Sequence, residues 1–132
     1  MTLKEEIALR NRMHPPANDC VEMECHAVAT ITFCPWQGSV WILPWSRFEA
    51  MRFVDEDNLE RMELYFPHHH IIAVGEHLRK TLGSFRKFEV SFLRSFPVAH
   101  RACLEPKSPF IAQLEVQLLA DPKSGPAIDA PF

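Results

Sequence analysis

The run FPHHHIIAVGEH, residues 66–77, sets His68, His69 and His70 between a proline and a stretch of aliphatic residues. Neutral imidazole is a common ligand for zinc, and it is also the side chain that exchanges protons near neutral pH. Metal binding and proton relay are therefore the two chemistries to weigh. The flanking pattern argues for something plainer. Phe66 closes one alternating run and Ile71 to Val74 open another, so Pro67, His68 and His69 fall where a hairpin must turn, and His70 begins the returning strand beside Ile72 and Val74. Side chains on a strand alternate between faces, so at most two of the three imidazoles can reach one ion. The neighbours Pro67 and Ile71 add no ligand, and His77 lies on the next element. The expectation is an exposed, imidazole-rich turn with no native metal site; His68, His69 and His70 are its metal candidates.

Other reactive residues are dispersed. Cys20, Cys25, Cys34 and Cys103 lack the short paired spacing of a zinc knuckle, and four are few for a disulfide-stapled secreted scaffold. Cys20, Cys25 and His26 are the nearest set of soft ligands, and partly buried thiols are the expected outcome. No G-x-S-x-G elbow, P-loop or G-x-G-x-x-G occurs, and with four glycines in the whole chain a backbone cradle for phosphate is hard to build. The acidic DEDNLE stretch lacks the spacing of a calcium loop. Neither an enzyme nor a cofactor is expected.

Two features point to binding instead. All three tryptophans, Trp36, Trp41 and Trp45, fall in CPWQGSVWILPW. Alternation sends Trp41 and Leu43 to one face and Val40 and Ile42 to the other, so the strand is either central and buried on both sides or meets a partner on one. Tryptophan is a frequent interface anchor, which makes self-association or docking to another protein the leading function. The second feature is charge. Residues 49–63 are rich in Asp and Glu, whereas residues 77–101 hold Arg79, Lys80, Arg86, Lys87, Arg94 and Arg101 against the single Glu89. With Phe85, Phe88, Phe92 and Phe96 interleaved, residues 79–101 could track a nucleic-acid backbone and stack bases. A packed core with a solvated cationic face explains the same residues more simply.

The elements that must hold these residues follow from periodicity. The 132-residue chain is the length of one domain, its hydrophobic (47%) and charged (23%) fractions suit a folded globule, and its formal charge of -3 gives no global attraction to nucleic acid or membrane. No apolar run approaches the ~18 residues of a bilayer span, and the N-terminus has no apolar signal region. A cytoplasmic location and no membrane partner are expected. Residues 1–22 read as a short helix and linker, 23–119 as one β-rich domain, and 120–132 as a flexible tail. HAVATITF and GSVWILPW form a hairpin; RFEAMRFV, ERMELYF and HIIAV follow as strands. Leu78, Leu82 and Phe85 mark a short amphipathic helix, KFEVSFLRSF a further strand, and IAQLEVQLL is read as a strand over a helix. The fold class is α+β, mainly β: an antiparallel meander of about six strands, free to curl into a partial barrel, with one packed helix.

The run LYFPHHHIIAVGEHLRKTL, with LPWSRFEAM before it and FIAQLEV after it, resembles a group of short bacterial proteins carrying a domain of unknown function. The resemblance spans about residues 26–118 and is carried by a strand and turn with histidine, an aliphatic strand ending in glycine, and a leucine-striped helix. It implies a bacterial cytoplasmic accessory protein, and it brings no activity or site residues with it.

Overall fold

The computed structural model describes residues 2–4 and 19–119. The expected N-terminal helix lies outside the described residues apart from Thr2 to Lys4, and the expected tail 120–132 lies outside them entirely. Among the described residues there are eight strands: β1 (Val21–Met23), β2 (Thr30–Cys34), β3 (Trp41–Pro44), β4 (Ala50–Glu56), β5 (Leu59–Phe66), β6 (His69–Glu76), β7 (Val90–Arg94) and β8 (Phe110–Leu118). A 3-10 turn, Leu78–Thr81, runs into the short helix α1 (Leu82–Arg86).

The strands form two four-stranded sheets, ordered β1-β7-β2-β3 and β4-β5-β6-β8. The mainly β class and the single short helix agree with expectation; the single six-strand meander does not, and the described strands make no closed barrel. Only β4, β5 and β6 follow one another as a meander. The turn between β4 and β5 is Asp57-Asn58, both with positive φ (42° and 68°), the backbone of the two-residue hairpin turns whose twist matches that of the strands. Pro67 and His68 make the next turn, with Phe66 opposite His69. The chain then leaves the sheet, and β7 inserts between β1 and β2, antiparallel to the first and parallel to the second. β8 returns to pair with β6. The strand β1 begins at Val21, and Cys20 and Val21 are buried, so the folded unit starts before the expected boundary at residue 23.

The core lies between the sheets. Phe33 from the first meets Phe66 from the second edge to face at 6.2 Å, among fully buried Ile31, Leu64, Ile71 and Leu93. Trp45, in the link between β3 and β4, is 6% exposed; its indole N–H donates to the Val90 carbonyl at 3.0 Å and its ring packs edge to face on Phe48. It pins one sheet to the other. The helical stripe is seated as its spacing predicts, with Leu78 and Phe85 buried. Glu60 on β5 anchors it, because its carboxylate accepts from the backbone N–H groups of Leu78 and Arg79. Gly75, read as the end of a strand, lies within β6, which runs on to Glu76. The β6–β8 register skips Ala112 there, and the Phe110 backbone passes where a β carbon would stand.

Candidate functional site

The strand order leaves β3 with a neighbour on one side only. Of the two readings of the tryptophan strand, the central strand buried on both faces is therefore excluded. Leu43 is buried and Trp41 half-buried toward the core, while Val40 and Ile42 are 57% and 63% exposed. From Cys34 to Ser46 the chain has no charged residue and no histidine. The other sheet edges all carry charge: Glu22 on β1, Arg52, Asp55 and Glu56 on β4, and Glu115 on β8.

The three tryptophans have three environments. Trp36, on the loop before β3, is half exposed; its ring lies 5.2 Å from His100 and 6.0 Å from Phe96, and its backbone N–H donates to Ser95 Oγ at 2.8 Å. Trp41 meets the His69 ring at 5.0 Å. Trp45 belongs to the core, which corrects its reading as an interface anchor: a side chain locked between two sheets cannot reach a partner.

The histidines diverge as well. His68 is exposed at the turn. His69 points toward the core side and its pKa is lowered, first by burial and then by His68 beside it. His70 points to the opposite face, stacks on Tyr65 at 4.6 Å and places Nε2 3.1 Å from the Glu63 carboxylate. Among the described residues no group of three or more His, Cys, Asp or Glu side chains gathers to hold a metal ion. The four cysteines are free; Cys25 Sγ lies 3.8 Å from His26 Nδ1 at the surface, and burial pushes the Cys20 thiol up.

Reading the sequence alone missed a polar cluster around Glu63 on the face of β5 and β6 turned from the core. Its carboxylate accepts from Tyr65 Oη and from Arg61 Nε, each at 2.6 Å, and also meets His70. The Tyr65 hydrogen bond is the main reason its pKa falls to about 2; burial opposes the shift, and Arg61 and His70 add to it. The signal was half present: Arg61, Glu63 and Tyr65 alternate on one face of β5. The Tyr65–His70 register that completes the group is tertiary.

The cationic stretch does not assemble into one surface. Arg94 is 8% exposed, bound to Glu22 at 2.5 Å and to the Asp19 carbonyl at 2.6 Å, with Phe92 beneath it. Its place among nucleic-acid contacts is corrected on that ground: a guanidinium committed to an internal pair cannot also reach a phosphate. Arg79 pairs with Asp55 at 3.6 Å over the Phe53 ring, and Lys80 donates to the Lys107 carbonyl. Arg86 and Lys87 remain exposed at the end of α1. Phe85 is buried and cannot stack a base, whereas Phe88 is 42% exposed with its ring set against Trp45 and Phe48.

No helix among the described residues is long and apolar enough to cross a membrane. Comparisons with protein-family models, with curated proteins and with solved structures find no match. The functional reading rests on the geometry of the surface, and the edge strand β3 is its most distinctive part.

Proposed function

We propose that this protein is a small non-catalytic interaction module that self-associates as a two-fold dimer through the free edge of β3. The observation that carries the reading is the edge itself: a strand with open backbone groups, two exposed aliphatic side chains facing outward, and no charge for thirteen residues. Sheet edges left open to water are normally guarded by charges, bulges or prolines, because an unguarded edge pairs with another strand. Here the guards are the four-residue length of β3 and Pro44 at its end, with no charge and no bulge among its residues.

A second copy is the occupant of choice because the edge is compatible with its own image. In a two-fold arrangement each residue near the axis meets its equivalent, so any charge would meet a like charge. β3 has none. Antiparallel pairing of two such edges would join two four-stranded sheets into one of eight and bring Ile42 from each copy under cover, with burial of each aliphatic side chain contributing about 1.5–3 kcal/mol. Trp36 stands on the adjoining loop, where its exposed ring can extend the contact.

Light scattering with size-exclusion chromatography tests the reading. At roughly 100 μM, far above the micromolar dissociation constants of ordinary dimers, the wild type is expected at twice the chain mass. The Ile42→Lys variant is expected as a folded monomer, since it places a charge at an otherwise neutral edge, and its melting temperature is expected to equal that of the wild type diluted below its dissociation constant. A monomeric wild type, or a dimer indifferent to Ile42→Lys, would overturn the proposal.

A further inference from the structure

A cleft of about 300 Å³ opens between the β5–β6 turn and the end of β3. Leu43, Pro44, Phe66 and Pro67 make its apolar walls, and Arg47, His68 and His69 complete a lining that is apolar over nearly all of its surface. No carboxylate lines it. Four other arginines pair with acids, Arg61 with Glu63, Arg79 with Asp55, Arg94 with Glu22 and Arg101 with Glu76. Among the described residues, the Arg47 guanidinium and the His68 ring make no ion pair or side-chain hydrogen bond. A permanent cation and an imidazole thus stand uncommitted at the rim of an apolar hollow.

We propose that this cleft binds a small carboxylic acid, with its carboxylate held by Arg47 and His68 and its apolar body packed on Leu43 and Phe66. The guanidinium matches a carboxylate bidentately, and an apolar hollow with a few convergent polar groups is the usual form of a small-molecule site. The volume sits at the low end of such sites, which restricts the body to one aromatic ring or a short alkyl chain. Burial lowers the pKa of His69, so that ring is neutral near pH 7 and lines the wall without adding charge. A second cleft, between β4 and α1, is lined by Phe48, Met51, Phe53, Leu82 and Phe85 with Arg86 and no histidine. The inference does not rest on the dimer, because Arg47 and His68, the groups assigned to the carboxylate, both lie outside β3.

Amide chemical shifts of the full chain test it, with phenylacetate and hexanoate as probes and phenylacetamide and hexanamide as their neutral counterparts. At least one acid is expected to shift the amides of Arg47, His68 and His69 saturably, with a dissociation constant of about 1 mM or lower, and to bind roughly tenfold tighter than its amide. Arg47→Gln, an exposed substitution, is expected to keep the spectrum of the folded protein and abolish that acid-over-amide preference. Three results would overturn the proposal: no saturable shift with either acid at about 10 mM, equal binding of acid and amide, or an acid preference that survives Arg47→Gln.

Discussion

The Tyr65 phenol donates to the Glu63 carboxylate at 2.6 Å on the face of β5 that turns away from the core. The bond favours the charged carboxylate and the uncharged phenol together, so it lowers the pKa of Glu63 to about 2 and raises that of Tyr65 above 10.0. One contact therefore leaves a mark at each end of the pH scale.

At the alkaline end the mark is read directly, because Tyr65 is the only tyrosine in the chain. An ultraviolet absorbance titration of the folded protein is expected to give a phenol midpoint above 10.0, and Glu63→Gln to move it back toward that value. An unchanged midpoint in the variant would remove Glu63 as the cause.

At the acid end the contribution is to stability. The folded-state pKa of Glu63 lies lower than the unfolded one, so the stabilisation is fully present above about pH 4.5 and is lost as the pH falls through about 2. Urea denaturation of the wild type and of Glu63→Gln is expected to show a stability gap at pH 6 that narrows steadily below pH 4.5. A gap constant down to pH 2 would mean that the charge of Glu63 stabilises nothing.

Two glycines are expected to respond oppositely to alanine. At Gly75 a β carbon would collide with the Phe110 carbonyl and stand 3.0 Å from Ile111 Cα, so two strands would have to part. Gly75→Ala is expected to cost about 3 kcal/mol or more, or to prevent folding. At Gly83, in α1, nothing lies within 4 Å of the added carbon. There the gain in helix propensity and the stiffer unfolded chain are expected to stabilise by about 0.5–1 kcal/mol. Thermal and urea denaturation of both variants checks the pair of signs.

Adjacent histidines are expected to differ as well. His68→Ala, at the exposed turn, is expected to leave stability within the ~0.5 kcal/mol of ordinary surface changes. His69→Ala removes a half-buried ring set 5.0 Å from Trp41 and is expected to cost about 1–2 kcal/mol. Equal effects in urea denaturation would contradict the opposite orientations of the two rings.

These histidines also show how far local pattern reaches. Alternation along HHHIIAV is a property of any extended chain, so the sequence alone places His70, Ile72 and Val74 on one side and forbids all three imidazoles from meeting at a point. The structure keeps that arrangement. The β2–β3 and β5–β6 hairpins, the helical stripe Leu78–Phe85 and the strand at Leu114–Leu118 are legible for the same reason: each needs only neighbours a few residues away.

What pairs with what is a different question. The strand β7 lies beside β2 in parallel, with all of β4, β5 and β6 between them in sequence, and nothing in KFEVSFLRSF distinguishes that partner from an adjacent hairpin strand. The same holds for Glu63, whose partner His70 is set by cross-strand register, and for Arg47 and His68, which share a cleft only because two sheets close on each other. Trp36, Trp41 and Trp45 have one residue type and one stretch of sequence, yet one lies in the core and another on the surface. The sequence by itself determined the strand character of β2 to β8 and the alternation of side chains along them, because these follow from backbone sterics and apolar periodicity over a few residues. Only the tertiary structure decided which strand became an open edge and which charges were spent internally, because both depend on burial between segments far apart in the chain.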